Sequence, residues 1–134
     1  MTVRGILLDP ERRSVEEVSI DISDVKNIQE AIGARAFDVA PMRFDSGVEQ
    51  DVFIDDEGLF VEGQSFFFMS GMHNPLGGKG LIFSVDDEGA TCDAIVSVEE
   101  VKRKVKFYSH FQMFLAVNAG EFAGDPEVDD GMSP

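Results

Sequence analysis

Two segments of the chain repeat one plan, DVFIDDEGLFV at residues 51–61 and GLIFSVDDEGAT at residues 80–91. In each, an apolar run is followed by the identical acidic turn DDEG and then by a short return segment. Glycine accepts the positive φ of a tight turn, and aspartate bonds to nearby backbone amides. The repeat therefore predicts two antiparallel β-hairpins, each with an acidic turn.

A duplicated metal site is the alternative interpretation of these turns. The Ca²⁺-loop pattern alternates acidic positions before its glycine and ends on a more distant glutamate, and neither copy has that spacing. The two histidines and the one cysteine, Cys92, also lack the spacing of a transition-metal site. Two stacked carboxylate turns would bind a divalent cation only weakly. Because neither the turns nor the histidines and the cysteine have the spacing of a metal site, we expect no metal and no cofactor.

The segment before the first repeat predicts a hairpin, a helix and a strand. Residues 3–8 and 15–21 are apolar, β-rich runs separated by a charged turn, which is the pattern of a hairpin. Residues 24–32 carry apolar side chains at helical spacing, and Gly33 is well placed for a left-handed helix end. Residues 36–42 alternate in polarity and contain a proline, which favours an edge strand.

The segments around the second repeat complete the predicted domain. Residues 66–69 are apolar on both faces of an extended segment, which indicates a covered central strand or a subunit interface. Residues 97–100, SVEE, form a capping box that begins a second helix. Residues 107–117 fit a helix and a strand equally well.

Together these elements predict an α+β domain over residues 1–120. It has a largely antiparallel sheet of about five to seven strands and two helices. Residues 121–134 combine glycine and proline with five acidic residues and no basic residue, which predicts a disordered acidic tail.

Charge and composition restrict the partners. The 134 residues include 26 Asp and Glu against 11 Lys and Arg, a formal net charge of −15, which disfavours direct nucleic-acid binding because phosphates are repelled. The longest apolar runs, 6–8 and 66–69, are far too short for a membrane helix, so no membrane contact is expected. With a single cysteine and no apparent signal peptide, the chain is predicted to be cytoplasmic.

The glycine-rich stretch GMHNPLGGKG at residues 71–80 invites comparison with a phosphate-binding loop. That motif requires Ser or Thr after Gly-Lys and a helix behind it, whereas Gly80 and an apolar strand pattern follow here. Glycine-rich loops between rigid strands nevertheless often bind ligands. His73, Asn74 and Lys79 are therefore candidate ligand-binding residues, while no residue stands out as catalytic.

Four motifs of the chain resemble a family of small uncharacterised proteins carried by bacteriophages and plasmids. They are DDEGL at residues 55–59, PLGGKGLI at 75–82, DDEG at 86–89 and SVEEV at 97–101. The likeness covers about residues 2–107. It implies no activity and no catalytic residues, but it implies a mobile-element context in the cytoplasm of a bacterial host, where small proteins often act on the host and its defence systems.

The sequence is compatible with three functions. The first is a non-enzymatic accessory protein that binds a basic host protein surface, in the manner of a nucleic-acid mimic or defence inhibitor, through Asp55, Asp56, Glu57, Asp86, Asp87 and Glu88. The alternative is a small-molecule or nucleotide binder, or a small enzyme, that uses the loop at residues 70–80. The third is a homodimer formed through the phenylalanine-rich segments 66–68 or 107–114.

Overall fold

Nine strands and three helices make up residues 1–122, the part of the chain that the computed structural model describes. The strands are β1 (Thr2–Asp9), β2 (Ser14–Asp21), β3 (Phe37–Arg43), β4 (Glu49–Asp55), β5 (Phe66–Met69), β6 (Leu76–Gly77), β7 (Gly80–Val85), β8 (Thr91–Cys92) and β9 (Val105–Tyr108). The helices are α1 (Val25–Ile32), α2 (Val98–Lys104) and α3 (His110–Asn118), and a 3₁₀ turn covers Gly58–Phe60.

The larger sheet has six strands in the order β2-β1-β7-β4-β3, with β8 paired to the end of β7. Every pair in this sheet is antiparallel, so the predicted α+β class and the predicted strand number of the main sheet are confirmed. The β1–β2 hairpin has the predicted partners, with Leu8 opposite Val15. Pro41 lies on the edge strand β3, where the missing backbone donor is tolerated.

A second sheet, not predicted, consists of β6, β5 and β9 in that order. The segment at residues 66–69 is its central strand, which agrees with the interpretation of these residues as a covered central strand. Phe67 and Met69 are fully buried and face the larger sheet, while Phe66 and Phe68 are half-buried on the other side. The apolar side chains on both faces therefore belong to a covered strand.

Two apolar cores lie on opposite faces of the larger sheet. The first packs that sheet against the second sheet and α2, and its fully buried members are Ile6, Leu8, Val52, Phe67, Met69, Ile82 and Val101. The second packs the other face against α1, and its buried members are Val3, Ile28, Ile32, Phe53, Leu81 and Phe83. Because β1, β4 and β7 contribute alternate residues to each core, both faces of these strands are apolar.

The helix ends follow local capping chemistry. The carboxylate of Asp24 accepts a hydrogen bond from the Lys26 amide at the start of α1, and Gly33 ends the helix with φ 68°, as predicted. The ambiguous segment 107–117 is a strand up to Tyr108 and a helix from His110. Ser109 and Gln112 form a reciprocal capping box at this boundary, which was not predicted and which begins a third helix where two were expected.

The first repeat is not a hairpin, and that prediction was wrong. After β4 the chain enters the 3₁₀ turn, and Leu59 and Phe60 are 62% and 85% exposed. The physical reason is that β4 already pairs with β3 on one edge and β7 on the other, so no edge remains for a return strand. The second repeat does form the predicted hairpin, with Val85 opposite Thr91.

Contacts of the described chain extend to Glu121 and Phe122, the first two residues of the predicted tail. The Tyr108 hydroxyl donates a 2.8 Å hydrogen bond to the Glu121 carboxylate, and the Phe122 ring packs on Phe68 and Tyr108. The remainder of the predicted tail, residues 123–134, lies outside the described residues. Within residues 1–122, no helix has the length and apolar character needed to cross a membrane.

Candidate functional site

The two acidic turns lie at opposite ends of the β4–β7 pair. Because the strands are antiparallel and Ile54 pairs with Gly80, the turn after β4 adjoins the beginning of β7. The second turn follows the end of β7, roughly 20 Å away at about 3.4 Å per residue. The six acidic residues predicted to bind a partner therefore form two separate surfaces, and one compact partner element cannot contact both.

The first aspartate of each turn stabilises the turn itself. Oδ1 of Asp55 accepts a 2.9 Å hydrogen bond from the Glu57 amide. Oδ1 of Asp86 accepts 2.9 Å hydrogen bonds from the amides of Glu88 and Ala90. These are the side-chain turns that make aspartate common at such positions. The second and third acidic residues are exposed in both turns and are the ones available to a partner.

The two turns differ in how their charge is neutralised. The Glu57 carboxylate accepts hydrogen bonds from the Arg35 guanidinium at 2.9 and 3.1 Å. Across the described chain, no basic group forms an ion pair with the carboxylates at residues 86–88. The turn after β7 is thus the one with uncompensated charge.

Two further carboxylates lie at that same end of the sheet. Glu49 and Asp51 are two residues apart on β4 and point to one face of it, and Asp51 lies opposite Phe83, two residues before β7 ends. We call Glu49, Asp51, Asp86, Asp87 and Glu88 the acidic end. Burial raises the pKa of the Asp51 carboxyl above its usual 3.8, and the negative charge of Glu49 raises it further.

We expect Glu49→Gln to lower the pKa of Asp51 while leaving the part of the shift that burial causes. NMR titration of the Asp51 carboxyl carbon measures this, with Glu16→Gln on β2 as the control that leaves it unchanged. Because the pKa of Asp51 is raised in the folded state, the folded protein binds this proton more tightly than the unfolded chain does. The contribution of Asp51 to the free energy of unfolding therefore rises as the pH falls through the raised pKa towards 3.8. An Asp51 that titrates below 3.8 contradicts the assignment.

The structure separates the three candidate ligand-binding residues of the loop at residues 70–80. His73 and Asn74 are exposed, and neither lines a cleft with Lys79. Lys79 is half-buried and lines a cleft of about 320 Å³ at the end of the sheet opposite the acidic end. The predicted three-residue site is therefore not assembled, although one of its members lies in a cleft.

The cleft lies between the end of β1, the end of α1, the segment after the 3₁₀ turn and the loop before β7. Its side-chain lining includes Asp9, Glu11, Ile32, Asp55, Val61, Glu62, Gln64 and Lys79. Asp9 is 4% exposed, and its Oδ1 accepts hydrogen bonds from the amides of Glu11 and Arg12 at 3.1 and 3.2 Å. Lys79 Nζ lies 4.0 Å from Asp9 Oδ2.

Sequence reasoning missed Asp9 and Gln64 as cleft residues. The only signal at Asp9 was its place before Pro10, which indicates a turn and says nothing about burial. Gln64 donates a 3.0 Å hydrogen bond from Nε2 to the Gly58 carbonyl and so holds the cleft wall. Within residues 1–122, no group of three or more His, Cys, Asp or Glu side chains is placed to hold a metal ion.

The phenylalanine-rich segments differ in exposure. Phe67 is buried inside the domain, whereas Phe111 and Phe114 on α3 are 64% and 58% exposed. Homodimer formation through residues 107–114 thus remains a prediction, with exposed apolar side chains available for it.

Comparison with known proteins adds no relative: no protein-family model, curated protein or solved structure matches the chain. The resemblance to the phage- and plasmid-borne family stays a prediction. Function is therefore proposed from the geometry and charge of the sites.

Proposed function

We propose that this is a non-enzymatic interaction protein that binds a basic surface of a host protein through the acidic end. The observation that carries the proposal is the grouping of five carboxylates at one end of the sheet, with no ion-pair partner among residues 1–122. The resemblance to proteins of mobile elements supplies the expectation that the partner belongs to the host.

The position of these carboxylates supports binding rather than a purely solubilising role. The Asp86 carboxylate holds the backbone of the turn, so the neighbouring Asp87 and Glu88 are presented from a fixed frame. The raised pKa of Asp51 reflects burial and an unneutralised neighbour, which a basic partner would relieve. A chain of net charge −15 also attracts cationic surfaces over long range and raises the association rate.

A host protein that itself binds nucleic acid is the class of partner that this surface fits best. Such proteins present Arg and Lys side chains spaced to contact phosphates, and exposed carboxylates compete for the same side chains. The separation of the two DDEG turns, roughly 20 Å at about 3.4 Å per residue, makes the acidic end the principal contact and leaves the other turn outside it.

The test is affinity capture from a bacterial lysate with the double variant D87K/E88K. Asp86 is retained so that the turn keeps its hydrogen bonds. We expect the unmodified chain to retain discrete basic proteins at about 50 mM salt and to release them at about 500 mM, because surface charges are screened at high ionic strength. We expect D87K/E88K to retain none of them.

The matched control is E16K/E30K, which changes the net charge by the same amount on exposed positions of β2 and α1. It should retain the same proteins as the unmodified chain. Equal retention by D87K/E88K would place the contact elsewhere. Empty capture by the unmodified chain at low salt would reject the proposed function.

A further inference from the structure

We propose that α3 and the groove beside it form the interface of a two-fold symmetric homodimer, in which Lys106 of one copy pairs with Glu121 of the other. This surface consists of β9 of the smaller sheet and the helix that follows it, and it shares no residue with the acidic end. The inference is therefore additional to the proposed function and does not depend on it.

The outer face of α3 is apolar. Phe111, Phe114 and Leu115 are 64%, 58% and 50% exposed, and their spacing of three and four residues places them side by side on the helix. The opposite face carries the buried Met113 and Ala116. A helix that is apolar on all sides is typical of a buried position, so we expect another surface to cover the outer face.

A groove between β9 and α3 continues this face. It has a volume of about 580 Å³, and Leu115 belongs to both the face and the groove. Lys106 on β9 and Glu121 after α3 also line the groove, and both are exposed. The Tyr108 hydroxyl donates a 2.8 Å hydrogen bond to the Glu121 carboxylate and so positions it. Within residues 1–122, neither Lys106 nor Glu121 forms an ion pair.

The charge of this surface favours a second copy of the chain as its occupant. Residues 107–120 contain no Asp, Glu, Lys or Arg, so two copies approach through α3 without bringing like charges together, although each has a net charge of −15. One cation and one anion in a groove are complementary to the same pair in a second copy, because a two-fold axis between them places each opposite the other. A strongly basic partner is better matched by the acidic end.

Residues 123–134 of the same chain are the alternative occupant, and their composition matches the face poorly. They contain four acidic residues, and Val128 and Met132 are their only large apolar side chains. Covering the face with this segment would bring carboxylates against an apolar helix, which costs free energy because the carboxylates lose water. A second α3 instead brings apolar side chains to the same surface.

The exposed apolar area is large enough for a dimer of moderate affinity. At about 200 Å² for a whole phenylalanine side chain, Phe111 and Phe114 expose roughly 250 Å² in one copy and about 500 Å² in two. Leu115, the walls of the groove and the charged pairs at its rim contribute the rest of the roughly 1,000 Å² that a specific interface needs. We therefore expect a dissociation constant of about 1–100 µM.

The test is sedimentation velocity of the full chain at concentrations from about 1 to about 300 µM. We expect a concentration-dependent conversion from one chain to two, which persists at about 500 mM salt because salt does not screen apolar burial. F114E places a carboxylate in the face and should weaken the dimer at least about tenfold. The matched control is F60E, which adds the same charge at a position that is 85% exposed on the 3₁₀ turn and should leave the dimer unchanged.

Charge-swap variants test the symmetric pairing. In a homodimer of K106E two carboxylates face each other at both ends of the interface, and in a homodimer of E121K two ammonium groups do. Each variant alone should therefore dimerise about tenfold more weakly at about 50 mM salt. An equimolar mixture of the two restores opposite charges at both ends, so we expect a heterodimer of nearly the original affinity, which native mass spectrometry detects.

A single chain at every concentration would overturn the proposal and assign the face to residues 123–134 or to another protein. Equal dimer affinities of F114E and F60E would exclude α3 from the interface. A mixture that dimerises no better than its two components would exclude the pairing of Lys106 with Glu121. Lysate capture responds to D87K/E88K and not to F114E, so the failure of this proposal is distinguishable from the failure of the proposed function.

Discussion

Phe67→Ala is expected to lower the free energy of unfolding by about 3–5 kcal/mol. The Phe67 side chain is fully buried on the central strand of the smaller sheet and packs in the core between the two sheets. Its ring lies so close to the backbone of β7 that a Cβ added at Gly80 would be 2.7 Å from Cζ. Removing the ring leaves a cavity between two sheets whose hydrogen-bonded backbones cannot collapse to fill it.

Urea denaturation followed by circular dichroism measures the loss. The matched control is Phe60→Ala, which removes the same ring from a position that is 85% exposed and should change stability by less than about 0.5 kcal/mol. Similar losses in the two variants would contradict the packing of the smaller sheet against the larger one.

Gly58→Ala is expected to cost about 2–3 kcal/mol or more, although Gly58 belongs to an exposed acidic motif. A Cβ at this position would overlap the carbonyl oxygen of Gly77, and a Cβ at Gly77 would lie 2.6 Å from the carbonyl oxygen of Gly58. Two backbone segments therefore touch here, and neither can move as a flexible side chain would.

The glycine of the second motif provides the comparison. Gly89 has open space around it but adopts φ +85°, so Gly89→Ala should cost about 1–2 kcal/mol from backbone strain alone. Asparagine tolerates that backbone region, so Gly89→Asn should recover part of the loss, whereas Gly58→Asn should recover none. Thermal and chemical denaturation of the four variants measures this. Recovery at position 58 would contradict the close approach to Gly77.

The candidate sites were only partly predictable from the sequence. Asp55 and Lys79 were assigned to two different sites, yet the fold places both in one cleft. Asp9, the most buried carboxylate of that cleft, carried no signal beyond its turn. Residues 9, 55 and 79 are far apart in the chain, and only strand pairing brings them to the same end of the sheet.

The acidic motifs were also only partly predictable from the sequence. Their composition identified six exposed or half-exposed carboxylates correctly as surface groups. It could not show that Arg35 neutralises one turn while Glu49 and Asp51 add charge beside the other. Net charge is a property of composition, but the local field depends on which strands are neighbours.

Short-range chemistry in the sequence determined the β1–β2 and β7–β8 hairpins and the left-handed end of α1 at Gly33, whereas for residues 66–69 it left a covered central strand and a subunit interface both open. Each depends on turn residues, capping groups or apolar alternation within a few positions of the chain. Tertiary structure determined the conformation of residues 59–61, which have the sequence pattern of a strand but do not pair with one. Both edges of β4 are occupied by strands from elsewhere in the chain, and competition for a limited number of strand edges is a property of the whole fold.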